Sequence, residues 1–306
     1  MENYYTSIDT SPFQHLYPFS SHFMTIGGHR LHYLDEGAGE PVLMVHGNPT
    51  WSFYYRGLVT GLSDTFRTIV PDHIGCGLSD KPDPGRYDYR LKNRIDDLGE
   101  LIDRLEPERK LTLVVHDWGG MIGMAWAVNH PDRIARIVVT NTAAFPPPAG
   151  KTIPLRLSVI RNLAPLAAVL VLGLNAFARG AVWMAPKKKL SADVRAGLLA
   201  PYNSWKNRIA TLRFVQDIPL SENDPGFTIL TAAADRLSLL ADKPMLICWG
   251  MHDFVFDADY LAEWQRRFPE AEVHRFEQAG HYLLEDEPAR VLETIREFLK
   301  KTGAAL

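Results

Sequence analysis

One stretch of the sequence, Val114-Val115-His116-Asp117-Trp118-Gly119-Gly120, runs from β-branched residues straight into a glycine pair that opens a helical pattern. Such a strand-to-helix corner lifts one side chain above the carboxyl edge of a sheet, and the free amides of the helix start favour negative charge beside it. The residue at the corner is Asp117. With an unperturbed pKa of about 3.9, an aspartate is already ionised near neutrality and can attack an electrophilic carbon without a base to deprotonate it. The product would be an ester on the protein, which excludes a serine or thiol mechanism. A plain helix N-cap is the competing reading of this aspartate. Two further residues weigh against it, because they follow in the chain order nucleophile, acid, histidine. Asp253 lies in Trp249-Gly250-Met251-His252-Asp253, and His281 in Ala279-Gly280-His281-Tyr282, each just after a strand-like run. Asp253 would hold the imidazole tautomer, and His281 would act as general base on a water or shuttle a proton near Asp117. His252, His116 and His46 compete for that role; His116 and His46 sit beside loop tips and read as structural braces.

A second constellation is His46-Gly47-Asn48-Pro49-Thr50-Trp51, again directly after a strand pattern. The backbone N–H after His-Gly can face the corner and complete an oxyanion hole with the N–H of Trp118. Asn48 also carries side-chain N–H donors and Trp118 an indole N–H, so the two could bind a leaving anion together. The competing reading is a turn asparagine and a core tryptophan. No metal-ligand spacing stands out, and no cofactor is expected.

These residues need a parallel sheet to hold them, and the alternation of short β-branched runs with longer helical patterns predicts one. Strands are expected at His29–Asp35, Val42–His46, Thr68–Pro71, Leu111–Val115, Arg136–Thr140, Met245–Trp249 and Glu272–Phe276. Helices are expected at Leu91–Leu105, Gly120–His130, Asp259–Phe268 and Ala289–Lys300. After Phe145 three prolines stop regular structure, and the following eighty or so residues look helical. The expected organisation is a discontinuous core, residues 1–145 and 231–306, with an inserted helical cap at 146–230. The Lys187–Lys189 triplet reads as a solvated end of a cap segment.

Composition agrees with a sizeable globular core: 306 residues are 46% hydrophobic, with 33 basic and 36 acidic side chains giving a formal charge of −3. That balance excludes a polycationic nucleic-acid binder. Cys76 and Cys248 are too few and too far apart for a disulfide framework and read as buried thiols in a reducing compartment. The N-terminus shows no secretory pattern, so a cytoplasmic location is expected. Residues 162–178 are uncharged but short for a span and are broken by Pro165, Gly173 and Asn175, which reads as a buried or lid helix; membrane contact is left open and not predicted.

His46-Gly47-Asn48-Pro49, Asp72-His73-Ile74-Gly75-Cys76-Gly77-Leu78-Ser79-Asp80-Lys81-Pro82 and His116-Asp117-Trp118-Gly119-Gly120 resemble the haloalkane dehalogenase branch of the α/β-hydrolases. Epoxide hydrolases share the aspartate corner, but an aromatic residue usually follows their His-Gly, so Asn48 favours the dehalogenase side. The resemblance makes Asp117 nucleophile, Asn48 and Trp118 the leaving-group clamp, His281 base and Asp253 acid. Asn141 stands where some dehalogenases place the acid as Glu. A closer resemblance spans nearly the whole chain. Asn141-Thr142-Ala143-Ala144-Phe145-Pro146, Asn175-Ala176-Phe177-Ala178-Arg179-Gly180, Ala200-Pro201-Tyr202-Asn203-Ser204-Trp205-Lys206-Asn207-Arg208-Ile209 and Gln216-Asp217-Ile218-Pro219-Leu220-Ser221 are similar to the β-lactone decarboxylases of bacterial long-chain olefin biosynthesis.

That family converts cis-3-alkyl-4-alkyloxetan-2-ones to cis-alkenes and carbon dioxide. The resemblance implies a long-chain β-lactone substrate and, as partners, the β-lactone synthetase and ketone reductase of the pathway. Haloalkane dehalogenase is the alternative and epoxide hydrolase a weaker one, with Tyr202 a candidate ring-protonating hydroxyl. A ligand receptor without turnover is a fourth, disfavoured by the complete Asp117, Asp253 and His281 set. Residues 163–174, with Leu166, Val169, Leu170 and Leu172, could line a tunnel for alkyl chains, and Tyr202 and Trp205 could reach a substrate. Met1–Ser20 fits no part of the pattern and is assigned no function.

Overall fold

The structure, a computed structural model, describes residues 8–106 and 108–303. Residues 1–7, the start of the N-terminal stretch that is assigned no function and shows no secretory pattern, lie outside the described residues.

Eight strands form one sheet: β1 (His22–Ile26), β2 (His29–Glu36), β3 (Pro41–Val45), β4 (Arg67–Pro71), β5 (Leu111–Asp117), β6 (Ile134–Thr142), β7 (Met245–Gly250) and β8 (Glu272–Phe276). Their order is β1-β2-β4-β3-β5-β6-β7-β8; β2 pairs antiparallel with both neighbours, and every pairing from β4 to β8 is parallel. The central strands β3, β5 and β7 are buried along their whole length, as a sheet covered on both faces requires. Alternate residues still divide between the faces. Val45, Val115, Val139 and Ile247 pack with the helices Leu91–Leu105, Trp118–Ala127 and Ala258–Arg267. Met44, Val114, Val138 and Leu246 pack with Arg56–Leu62 and Pro288–Thr302.

Each strand expected from the sequence is present, with ends moved by a few residues, and the helix Leu91–Leu105 has the expected bounds. β1 was not expected. It is an edge strand with only Ile26 fully buried, so it lacks the continuous apolar run that marks the others. Its signal is the turn that follows: Gly27 and Gly28 both take positive φ, +55° and +81°, which a tight two-residue hairpin needs and glycine supplies. The segment before β1 packs as part of the core. Phe13 and Tyr17 bury against Trp51 and Phe53, and the Tyr17 hydroxyl meets Ser52 Oγ at 2.6 Å.

Between β6 and β7 the described residues contain helices and no strand. Leu155–Asn162 and Ala164–Gly173 meet at a bend of 105°, and no single helix among the described residues is long and apolar enough to cross a membrane. Ala176–Met184, Ala192–Leu199, Ile209–Gln216 and Phe227–Arg236 follow. Position 230 falls inside the last of these, whose Ala233 and Ala234 already pack into the main core. A buried ion cluster ties the insertion to the core: Asp217 accepts from Leu91 N at 2.7 Å and Arg90 Nη1 at 3.0 Å, with Arg94 Nη1 at 3.4 Å.

Candidate active site

β5 delivers Asp117 to the carboxyl edge of the sheet with φ +50° and ψ −124°, a backbone conformation rare for a residue with a side chain. The corner is possible because the chain beside it is bare. A Cβ at Gly47 would overlap the Asp117 carboxylate, and one at Gly119 would strike the Val45 carbonyl. Asp117 begins the helix without capping it through its side chain. Instead Oδ1 accepts from the Asn48 amide at 2.6 Å, and Oδ2 lies 3.6 Å from His281 Nε2. Burial pushes the Asp117 carboxyl above its ordinary pKa; His281 and the amides of Asn48 and Trp118 pull the other way without cancelling it.

His281 Nδ1 donates to Asp253 Oδ2 at 2.7 Å, which leaves Nε2 to face Asp117. The other oxygen, Asp253 Oδ1, accepts from the amides of Val255 at 2.7 Å and Phe256 at 3.0 Å, so both ends of the carboxylate are fixed. Burial opposes charge on His281, but Asp253 and then Asp117 outweigh it and hold the imidazole pKa above its ordinary value. Asn141 turns away from this set: its amide donates to Gly250 O at 3.0 Å and accepts from Gly250 N at 2.7 Å, joining β6 to the start of the Asp253 loop.

The two bracing histidines are where the sequence reading put them. His46 accepts from His73 N through Nε2 at 3.1 Å and donates Nδ1–H to Gly47 O at 2.7 Å, holding the loop that carries Asn48. His116 donates from Nε2 to His281 O at 2.8 Å, supporting the His281 backbone from below. Burial lowers the pKa of both, which keeps them neutral near pH 7.

Asn48 Nδ2 donates to Thr211 O at 3.0 Å, and that carbonyl belongs to the inserted helix Ile209–Gln216, so insertion and core together orient the amide. The Trp118 indole packs edge-on against Phe214, and the Arg94 guanidinium lies 3.7 Å from the Phe214 centroid and 5.5 Å from that of Trp118. The Arg94 cation is thus buried against the Trp118–Phe214 pair, with the Asp217 carboxylate beside it offsetting its charge.

Asn48, Asp117, Trp118 and His281 all line one cavity of about 510 Å³. Its walls are otherwise almost wholly apolar, from Met121, Phe145, Leu157, Ile160, Phe177 and Leu230 among others. Of the tunnel residues expected in 163–174, Leu170 alone lines it. Leu166 and Val169 point to solvent, and Leu172 packs with Ala167, Val171 and Leu212. The bend at Leu163 turns the following helix so that its 166/169 face looks outward. Tyr202 and Trp205 do not reach the cavity either. Tyr202 is fully buried with its hydroxyl 3.4 Å from Thr50 O, and Trp205 is exposed. The tyrosines that do line it, Tyr260 and Tyr282, were missed, although Tyr282 directly follows His281. Among the described residues no group of three or more His, Cys, Asp or Glu is arranged to hold a metal ion. Cys76 and Cys248 are buried free thiols, as expected.

Comparison with known proteins places this geometry. A family profile of the alpha/beta hydrolase fold matches residues 40–288. The cis-3-alkyl-4-alkyloxetan-2-one decarboxylases of Shewanella oneidensis and Xanthomonas campestris are 53% and 47% identical, over 94% and 90% of this chain and 90% and 93% of theirs. Haloalkane dehalogenase 2 of Mycobacterium tuberculosis is 32% identical over 95% of this chain and 99% of its own. A crystal structure of a loop variant of the haloalkane dehalogenase DbeA from Bradyrhizobium elkanii superposes with a TM-score of 0.83 at 25% identity, covering 94% of this chain and 98% of that one. The chain belongs to the α/β-hydrolase fold family, in the group formed by the cis-3-alkyl-4-alkyloxetan-2-one decarboxylases and their more distant haloalkane dehalogenase relatives.

Proposed function

We propose that this protein is a β-lactone decarboxylase that converts a cis-3-alkyl-4-alkyloxetan-2-one to a cis-alkene and carbon dioxide, with Asp117 as nucleophile. The observation that carries the reading is the match to two decarboxylases along nearly the full chain, insertion included. The apolar cavity above Asp117 supports it, since each buried methylene of an alkyl chain contributes about 0.8 kcal/mol. In this reading residues 146–230 act as the cap over a core made of 1–145 and 231–306.

The steps follow from the chain's own groups. Asp117 Oδ2 attacks the ring carbon that bears the ring oxygen, with Oδ1 held by the Asn48 amide. The carbon–oxygen bond breaks, its electron pair leaves on the ring oxygen, and a carboxylate is released between Asn48 and Trp118. The bond between that carboxylate and its α-carbon then breaks. Its electron pair forms the alkene, carbon dioxide departs, and the Asp117 carboxylate is expelled. Inversion followed by anti elimination carries a cis ring to a cis alkene. No water is consumed, so His281, held by Asp253, stabilises the Asp117 carboxylate as it returns.

A lactone carrying a heavy-oxygen label at the ring oxygen tests this order of bonds. Labelled carbon dioxide is expected; attack at the carbonyl instead gives a mixed anhydride and sends the ring label to water, which would overturn the scheme. The hydrolytic alternative, a haloalkane dehalogenase, uses the same side chains and is separated by halide release. We further infer a place in olefin biosynthesis beside a β-lactone synthetase and a reductase, and a cytoplasmic location, the latter supported by two free buried thiols.

A further inference from the structure

Charge is unevenly distributed along this chain. Residues 146–210 carry ten Lys and Arg against one acid, Asp193, although the whole protein has a formal charge of −3. The same segment holds most of the exposed large apolar side chains. Leu155 is 78% exposed, and on the neighbouring helix Trp183 is 60% exposed. Arg156 Nη1 lies 2.7 Å from Met184 Sδ, which joins these two helices at the surface. Past the bend, Leu163, Leu166 and Val169 are also turned to solvent. Trp205, 54% exposed, stands over Gly173, beside the exposed Leu174. The basic side chains rim this face. Arg156 and Arg179 lie on its helices, Lys187 and Lys189 follow Met184, and Arg195 stacks 4.8 Å above Trp183. The cavity over Asp117 reaches the same face, because Leu155, Arg156 and Met184 are among its lining residues.

Exposed leucine and tryptophan side chains on a segment with ten Lys and Arg, of which Lys151, Arg161 and Lys188 pair with acids from the rest of the chain, match the chemistry of a face that lies in a lipid interface. An apolar patch of this kind on an otherwise soluble fold marks an interaction surface. We propose that the outer face of residues 155–205 docks on an anionic lipid bilayer and opens the cavity mouth towards it. The basic rim meets the lipid headgroups while the leucines and tryptophans enter the acyl boundary. Entry of the substrate from the bilayer rests on the decarboxylase reading; the docking itself does not.

The test uses the full-length protein with phosphatidylcholine vesicles, with and without added phosphatidylglycerol. Cosedimentation is expected with the anionic vesicles only, weakened by high salt, with a blue shift of the fluorescence of Trp183 and Trp205. Leu166→Glu/Val169→Glu and Lys187→Glu/Lys189→Glu should each weaken binding about tenfold or more. These residues lie outside the cavity lining, so melting temperature and turnover of a short, water-soluble β-lactone should stay unchanged. Equal or absent binding to the two vesicle types would overturn the proposal, as would binding indifferent to both double variants. A dimer that Leu166→Glu/Val169→Glu dissolves, with no vesicle binding, would assign the face to a second copy. Vesicle binding without lactone turnover would retain the docking and reject the decarboxylase reading. Turnover without vesicle binding would do the reverse.

Discussion

The Arg94–Asp217 pair makes a quantitative statement about how the insertion is held over the site. Both side chains are almost fully buried, and burial is the largest influence on each: it lowers the pKa of Arg94 and raises that of Asp217. A pair of this kind stabilises little relative to apolar packing, yet removing one partner strands a buried charge at a cost of about 3–5 kcal/mol. Asp217→Asn keeps an acceptor for the Leu91 amide and removes the charge that Arg94 shares with the half-exposed Arg90, which can turn to water while Arg94 cannot. It should destabilise by about 3 kcal/mol, roughly a 6 °C fall in melting temperature for a chain of this size. In an Arg94→Met background the same change should cost about 1 kcal/mol, a coupling of about 2 kcal/mol between the two sites. Asp217 directly follows the helix that carries Thr211, the acceptor for the Asn48 amide, so the single variant should also raise KM for the lactone. Circular dichroism melts and urea titrations of the four proteins measure the cycle. Additivity within about 0.5 kcal/mol would refute the reasoning, because it would mean Arg94 does not depend on the Asp217 charge.

Other outcomes follow from the site. The kcat/KM profile should lose activity on acidification with a midpoint above 3.8, the ordinary aspartate value, since protonation disarms a carboxylate whose pKa burial has raised. His281, raised above 6.5, should confer an alkaline loss if its imidazolium steadies the returning Asp117 carboxylate; a rise in activity there would instead indicate a neutral base acting on water. Gly47→Ala should reduce kcat by about 100-fold or more and lower stability by about 1–3 kcal/mol, because the added methyl overlaps Asp117 and displaces its carboxylate from the Asn48 backbone amide. Leu230→Phe, which narrows the cavity, should penalise long-chain lactones over short ones by about fourfold for each methylene excluded, measured as a ratio of kcat/KM values.

How far the sequence alone reaches depends on whether a residue's position is set locally. Asp117 ends its strand, and Asn48, Asp253 and His281 each follow one within about five residues, so strand order and corner chemistry were enough to predict that they meet. Asp117–His281 and His281–Asp253 separations of 3.6 and 2.7 Å agree with that expectation. The N-cap alternative for Asp117 fails because its carboxylate is turned to Asn48 and His281. The insertion was less legible. Its helical character was visible in composition, but which face looks inward depends on the bend at Leu163, and apolar residues occur on both sides. Leu166 and Leu170 therefore read alike in sequence while one faces solvent and the other the cavity. Tyr202 misled for a related reason: an aromatic hydroxyl in a cap can serve chemistry or packing, and the hydrogen bond to Thr50 that decides between them is long-range. β1 was lost because a half-exposed edge strand carries little apolar signal, though the Gly27–Gly28 turn announced it.

What Asp117 does to a strained ring decides the function of this protein. Purified wild type and Asp117→Ala should be incubated with a synthetic long-chain cis-β-lactone and, in parallel, with a panel of haloalkanes, following alkene by gas chromatography and free halide in solution. Alkene from wild type, none from the variant and negligible halide is the result expected. Halide release with the lactone untouched would contradict it and make the protein a dehalogenase, and alkene formation by Asp117→Ala at the wild-type rate would remove Asp117 from the chemistry.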